Sequence, residues 1–367
     1  MKKWLLAVGV VIAATVGSGI FALPYIIQRS GWLLSLGYFI VLIAVVALAH
    51  ILYFKTLAAG HGRKGLFGLA EEYFGRTGFW IAFFSIVIGL LLGLVGYLVL
   101  GRQFIHILIP SISSGAALLV FWFILALLVF FSEGNIAPLE VTGVILLFGA
   151  VLFIFFSGNP FHLSLLVPAV SAKNFFLPFG AVLFSLAGWT SVEQVFELGK
   201  QESDRMQWHM LFIVGAAFAG IIYWLFAFGI LNSTPIVAPD TISDIISWPT
   251  WRRDALAIVG LLAISIVAIP LSRELRGVLE KNLRWNSLFS RFTIVLAPLI
   301  LILLGLNNFF IIVSLAGGVF LSTQYILIIS VGRRALRLPR REKALLDVFV
   351  GIFICFVIYE IAGFIVH

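Results

Sequence analysis

Charge and cysteine are both scarce in this chain of 367 residues. Only 11% of its residues are charged and 62% are hydrophobic, whereas a soluble domain carries about 25% charged and 45–50% apolar residues. That shortage excludes a water-soluble fold. The single cysteine, Cys355, lies inside an apolar segment, which excludes an intrachain disulfide and a cysteine-based zinc site. Histidines are few and scattered: His50 and His106 lie near span ends and read as interfacial, while His162 and His209 are too isolated for a metal site. No low-complexity stretch appears, and no long polar stretch is left over for a separate catalytic domain.

What the chain has instead is long apolar runs, the longest free of charge being Val141–Ala172, Met206–Pro239 and Phe292–Gly332. These runs are continuous, not alternating, so they predict helices and exclude a barrel of membrane strands. A helix needs about 20 such residues to cross about 30 Å of hydrocarbon. Cutting at Gly, Pro, Asn and charge clusters gives eleven spans, at 4–27, 31–53, 78–100, 115–132, 139–157, 174–196, 207–231, 254–272, 287–305, 308–331 and 344–365. The opening MKKWLLAVGVVIAATVGSGIFA also has the lysines and apolar core of a secretory signal peptide. Its apolar stretch runs on through Pro24 and Ile27 to span length, however, so it reads as a first helix.

Lys and Arg accumulate in cytoplasmic loops. With the N-terminus cytoplasmic, 19 of the 24 basic residues fall inside, and only Arg29, Arg102, Lys173, Arg252 and Arg253 fall outside. An odd number of spans then puts the C-terminus outside, in a cell (inner) membrane. Topology therefore accounts for the formal charge of +8, and no nucleic-acid role is needed. The segment Gly65–Gly75 (GLFGLAEEYFG) predicts a short amphipathic helix on the cytoplasmic surface. Thr241–Trp251 (TISDIISWPTW) predicts either a short outer helix or a loop skimming the interface on its tryptophans.

Two spans carry helix breakers at mid-membrane. The first contains Thr15-Val16-Gly17-Ser18-Gly19-Ile20-Phe21-Ala22-Leu23-Pro24, and the sixth Phe184-Ser185-Leu186-Ala187-Gly188-Trp189-Thr190-Ser191. Loose backbone at that depth is tolerated only where protein or a water-filled cavity satisfies it. Close packing of small residues would explain one such break. Two breaks five spans apart, an odd offset, instead predict an inverted repeat with the binding site of a transporter between its halves. Free amides at Ser18 and Gly19 suit a carboxylate, and freed carbonyls at Thr15 and Phe184 suit an ammonium, so the expected ligand is a small zwitterion. No Arg or Lys stands at the breaks, which disfavours a strongly anionic substrate.

GSGIFALPYIIQRSGW, followed at once by a second span, resembles the first helix pair of the amino acid/auxin permease family, within the amino acid, polyamine and organocation transporter superfamily. FGAVLFSLAGWTSVEQVFEL resembles the sixth helix of that family and GLVGYLVLGRQF its third. The resemblance covers residues 4 to about 331 and implies an all-α membrane protein with a LeuT-like five-plus-five fold and an eleventh helix added. The ten-helix core would occupy 1–331, with repeats at about 4–157 and 174–331, and the basic loop and last helix 332–367. It further implies secondary transport of an amino acid by alternating access. The candidate contacts are Thr15, Gly17, Ser18, Gly19 and Ile20 from the first helix, Tyr97 from the third, and Phe184, Ser185, Gly188 and Trp189 from the sixth. Two departures stand out: Thr190 occupies a place where many relatives carry an acid, and the N-terminal tail is short.

No cofactor and no obligate protein partner is expected beyond the amino acid and the bilayer, but transport needs a driving ion. In the LeuT-like fold a sodium site falls at Ala13, Val16 and Ser265. Sodium wants about five or six oxygens, by analogy with other hard cations, and Ala255–Leu271 supplies one hydroxyl. Glu193, the only ionisable side chain within about a turn of a break, favours proton coupling instead; uncoupled exchange stays open. Two rival functions are an amino-acid sensor, such as the permease-like subunits of spore germination receptors, and an intramembrane enzyme. The first wants an extramembrane partner surface and the second paired catalytic groups at one depth, and the sequence offers neither.

Overall fold

The computed structural model describes residues 2–61, 64–131, 137–157, 167–199, 208–234, 236–243, 245 and 248–366. His162 and the charges Arg63, Lys200 and Arg205 lie outside them. Every described element is a helix. Seven are long and apolar enough to cross a membrane, and a bent pair, 4–15 with 18–30, makes an eighth crossing. The shorter apolar helices 141–156 and 287–303 and the interrupted helix 178–186 with 190–199 supply the other three of the eleven predicted spans.

The first crossing is α1 (Lys2–Thr15), a five-residue 3₁₀ turn (Ser18–Ala22) and α2 (Leu23–Ser30). Gly17 is extended (φ −122, ψ −156), so the α-helical ladder stops at Thr15. Pro24 falls in the first turn of α2, where a missing N–H costs nothing. At Gly31 (φ +102) the chain reverses into α3 (Trp32–Thr56). A Cβ there would stand 2.5 Å from the Ala169 carbonyl, which is where the strand-like stretch before the sixth crossing pairs with the turn through Trp32 N to Pro168 O at 3.1 Å and Ser171 N to Ser30 O at 2.8 Å.

The predicted surface helix is present as the first part of α4 (Gly65–Ala82). Leu66, Phe67, Leu69 and Ala70 face the bundle, while Glu71 and Glu72 face out. Gly75 (φ +59) then turns the chain into the third crossing, which continues through a π-helical stretch, Phe83–Ile88, into α5 (Gly89–Leu108). The next two crossings are α6 (Ser114–Phe131) and α7 (Ala137–Ser157). The sixth is split into α8 (Pro178–Leu186) and α9 (Thr190–Gly199), and the seventh is α10 (Trp208–Leu231). They are followed by α11 (Thr250–Gly277) and α12 (Ser287–Leu303). The tenth crossing is α13 (Phe309–Ser314), a π-helical stretch Leu315–Leu321 and α14 (Ser322–Ala335), and α15 (Arg340–Val366) is the eleventh.

Of the described residues of 241–251, Thr241, Ile242, Ile245 and Trp248 are buried against the bundle, while Ser243, Pro249, Thr250 and Trp251 are exposed. His50, expected at an interface, is also buried, with its Nε2 3.0 Å from the Tyr325 hydroxyl.

Backbone approaches backbone most closely where α8 crosses the π-helical stretch 315–321: a Cβ at Gly317 would lie 2.7 Å from the Gly180 carbonyl carbon. Rigid main chain cannot yield there as a side-chain tip could. Gly317→Ala is expected to cost about 1–3 kcal/mol or more through overpacking. Gly37→Ala, with nothing within 4 Å of the new methyl, should be neutral or slightly stabilising. Thermal unfolding of the two purified variants in detergent checks the contrast.

Candidate functional site

The two breaks meet. A Cβ on Gly188 would stand 2.5 Å from Thr15 Oγ1, and one on Gly19 would stand 2.8 Å from the Ser185 Cα, so each break holds a glycine where the other arrives. Breaking a helix in hydrocarbon leaves carbonyls without partners. Tyr223, reaching in from α10, supplies one hydroxyl to both breaks, directed at the Thr15 carbonyl at 2.7 Å and at the Ser185 carbonyl.

Beside this junction is a partly open cavity of about 70 Å³. Thr15, Gly17, Ser18, Gly19, Tyr97, Phe184 and Trp189 line it, which brings together seven of the ten predicted contacts. Ile20, Ser185 and Gly188 do not reach it. Ile20 is buried in the core, and the other two pack one break against the other. Gly17 opens onto the cavity, since a Cβ there would meet only Tyr97 Oη at 3.3 Å and Val267 Cγ1 at 3.7 Å.

The polar groups around the cavity are unequal. The hydroxyls of Thr15, Ser185 and Ser191 turn back on carbonyls, at 2.7, 2.8 and 2.6 Å. Ser18 Oγ is fully buried and has no partner, an arrangement that folded proteins avoid unless something else occupies it. Trp189 donates its Nε1–H to Gln324 Oε1 at 2.6 Å, and Gln324 Nε2 donates to the Ser85 carbonyl at 2.6 Å. The Trp189 ring is therefore fixed at the junction by the tenth crossing and, through it, by the third.

Ala13 and Val16 line a separate void of about 10 Å³, whose α11 wall is Ala263, Ile266 and Val267. Ser265 is not part of that wall, because it lies on a different side of α11. Glu193 lies one turn along α9 from the junction, half-buried, and accepts hydrogen bonds from the Tyr53 hydroxyl and from Leu66 N at 3.2 Å. It borders a chamber of about 890 Å³ shared with Lys64, Arg273, Glu274 and Lys281. On the opposite face hydrogen bonds tie the described residues 236–243 to the first and third crossings. Thr241 Oγ1 donates to the Phe21 carbonyl at 2.5 Å, Val237 N to Gln28 Oε1 at 2.9 Å, and Gln103 Nε2 to Asp240 Oδ2 at 2.7 Å.

Gln324, Tyr223, Tyr53 and Glu274 were not legible as site residues. Gln324 carried one available signal, the one side-chain amide of the apolar stretch Phe309–Ala335. Among the described residues no cluster of three or more His, Cys, Asp or Glu side chains could hold a metal ion.

Removing the Tyr223 hydroxyl leaves two carbonyls without their shared donor in a buried site. Tyr223→Phe is expected to cost about 1–3 kcal/mol with no change of shape. A fall in unfolding temperature, absent in a lipid-facing control such as Phe292→Leu, checks this.

The profile of the tryptophan/tyrosine permease family matches residues 1–244. No curated protein matches the chain. Among solved structures, the crystal structure of MhsT in complex with L-phenylalanine superposes with a TM-score of 0.67 at 14% identity, covering 98% of this chain and 97% of that one. At that identity the likeness is one of fold, and the fold is LeuT-like. The family match is broader than any single motif, for it runs through both breaks and the helix that carries Tyr223: the chain belongs to the tryptophan/tyrosine permease family and is a membrane transporter, not an enzyme.

Proposed function

We propose that the protein is a secondary transporter that carries an amino acid across the membrane by alternating access, with the substrate held at the junction of the two broken helices. The observation that carries this reading is the orphaned Ser18 hydroxyl at the cavity wall. With the amides of Ser18 and Gly19 it makes a donor set for a carboxylate, while the carbonyls at Thr15 and Phe184 suit the ammonium. The substrate side chain then runs toward Phe184, Trp189, Tyr97 and the glycines Gly89 and Gly93, a wall that favours a large apolar or aromatic group, in keeping with the family. The likeness to the amino acid/auxin permease branch belongs to the same reading, as does the division into a 1–331 core with repeats at about 4–157 and 174–331 and an appended 332–367. The hydrogen-bonded outer face and the open chamber beside Glu193 support an inward-facing arrangement.

Proton coupling through Glu193 is favoured over sodium coupling. The void at Ala13 and Val16 has no hydroxyl in its wall, too few oxygens for a hard cation. Glu193 sits between the junction and the chamber, held by Tyr53 and by the backbone of α4. Reconstituted protein should accumulate a labelled aromatic amino acid when the outside is made acid, with no need for sodium. Gly17→Leu, whose side chain would fill the cavity from backbone any residue can adopt, should lower uptake and binding by about tenfold or more, the equivalent of one lost charge-assisted contact. Glu193→Gln should keep substrate exchange and lose accumulation driven by the pH gradient. Binding without uptake would favour the sensor, and uptake that needs a sodium gradient would overturn the coupling.

The orientation that goes with this reading places the N-terminus in the cytoplasm and the C-terminus outside, in a cell membrane. It is supported by the 19 to 5 split of basic residues. Reporter fusions at Lys343 and after His367 should report opposite sides; the same side for both would remove α15 as a crossing.

A further inference from the structure

α15 is mostly lipid-facing, yet it carries one half-buried acid in its last two turns. Glu360 stands 20 residues beyond Arg340, about 30 Å along the helix, toward the face where Thr241 and Asp240 are hydrogen-bonded. Its side chain turns away from lipid into a notch between α8 and the π-helical stretch 315–321. Two glycines make the notch. A Cβ on Gly180 would stand 2.9 Å from Glu360 Oε1, and one on Gly318 would stand 2.7 Å from Glu360 Cδ. Aromatic rings close it: Phe179 stacks on Phe356 at 3.4 Å between centroids, and Phe176 packs on Tyr359 at 4.7 Å.

The polar atoms in that space are backbone, the Gly318 nitrogen and the Ser314 carbonyl oxygen, each 3.2 Å from the same point above Gly180. Among the described residues no cation or side-chain donor meets the carboxyl. α8, α13 and 315–321 contain no titratable residue. On α15 the neighbour is Tyr359, which packs toward Tyr38 of α3 through Phe356 and Phe176. The titratable group of α14 nearest this face is Tyr325, stacked on Phe353 and bonded to His50, and the Arg333 charge is paired with Asp347 near the other end of α15. An ionised carboxylate packed into an apolar notch without a counter-ion is costly. A protonated one is not, and its O–H can point at the Ser314 carbonyl.

We propose that Glu360 is a proton-binding site that latches α15 onto the crossing of α8 and 315–321, protonated while the notch is closed and ionised when it opens to water on that outer face. The proton is taken from that water on closing and returned to it on opening. α8 is half of the broken sixth helix, so loading this proton from outside favours the closed outer face and unloading favours its opening. The inference rests on the alternating-access reading.

The test uses reconstituted full-length protein with Cys355→Ser and a reporter Phe310→Cys, at a ring that closes against Tyr25 on the outer face. Labelling by a membrane-impermeant maleimide is followed from about pH 5 to about pH 8, with and without Glu360→Gln. The ratio of the two rates cancels the thiol's own titration. Expected is a several-fold rise of the Glu360 protein over Glu360→Gln toward high pH, with Glu360→Asp restoring the rise if Glu360→Gln folds poorly. Gly318→Ala, whose methyl displaces the carboxyl, should label fast at every pH. A constant ratio across the pH range, or a rise that Glu360→Asp fails to restore, overturns the latch. Amino-acid counterflow by the same vesicles at equal pH separates the two readings, since its absence from the unsubstituted protein defeats transport itself, whereas its presence with a constant ratio defeats the latch alone.

Discussion

Peptide groups that leave a helix inside hydrocarbon must find partners within the protein, because neither water nor lipid can supply them. The rest of this structure follows from how two such interruptions are satisfied. Placed side by side, the breaks at Gly17–Gly19 and Ala187–Trp189 expose carbonyls to one another's neighbourhood, and the hydroxyl of Tyr223 serves one from each. That single side chain couples the first, sixth and seventh crossings. It also leaves the other side of the junction, where Ser18 sits, with donor capacity that the fold does not consume.

Contact between two unwound segments constrains the residues that can form them. Gly188 and Gly19 are each needed because the opposing break occupies the volume a side chain would take, and Gly180 and Gly317 repeat the requirement where α8 meets the tenth crossing. Gly17 is different: it lines the cavity, where a Cβ would meet the Tyr97 hydroxyl at 3.3 Å, so its lack of a side chain leaves room in the cavity and does not serve helix contact. The same residue type thus serves packing and site within three positions, and spacing alone does not separate the two.

The two faces of the molecule are unlike. One is held by hydrogen bonds between residues 237–241, of which Val237 and Thr241 are buried, and the first and third crossings. The other holds a chamber rimmed by Lys64, Glu193, Arg273, Glu274 and Lys281. Carboxyls touch both halves of the broken sixth helix, Glu193 on α9 and Glu360 against α8, so the two proposed proton sites flank one interrupted element.

Composition and run length determined the class of this protein, since 62% hydrophobic residues in runs of span length have one stable solution. Helix chemistry pointed to where the first and sixth crossings break, because Gly-Ser-Gly ahead of Pro24, and Ala-Gly-Trp-Thr at mid-span, weaken a helical ladder. Those are local properties, and local properties are written in order along the chain. Which groups meet at the breaks was decided by tertiary packing. Tyr223 and Gln324 come from 208 and 135 residues away, in runs where an isolated polar residue looks like any other. Ser265 stands beside Ile266, which lines the void at Ala13 and Val16 while Ser265 does not, a matter of about 100° of rotation per residue that no span boundary fixes. His50 was placed at an interface because it lies near the end of a run, yet α14 covers it. Glu360 stood in plain view as an acid in an apolar helix, but its notch consists of the missing side chains of two glycines on other helices, and an absence of atoms leaves no mark in a sequence until the backbones have been brought together.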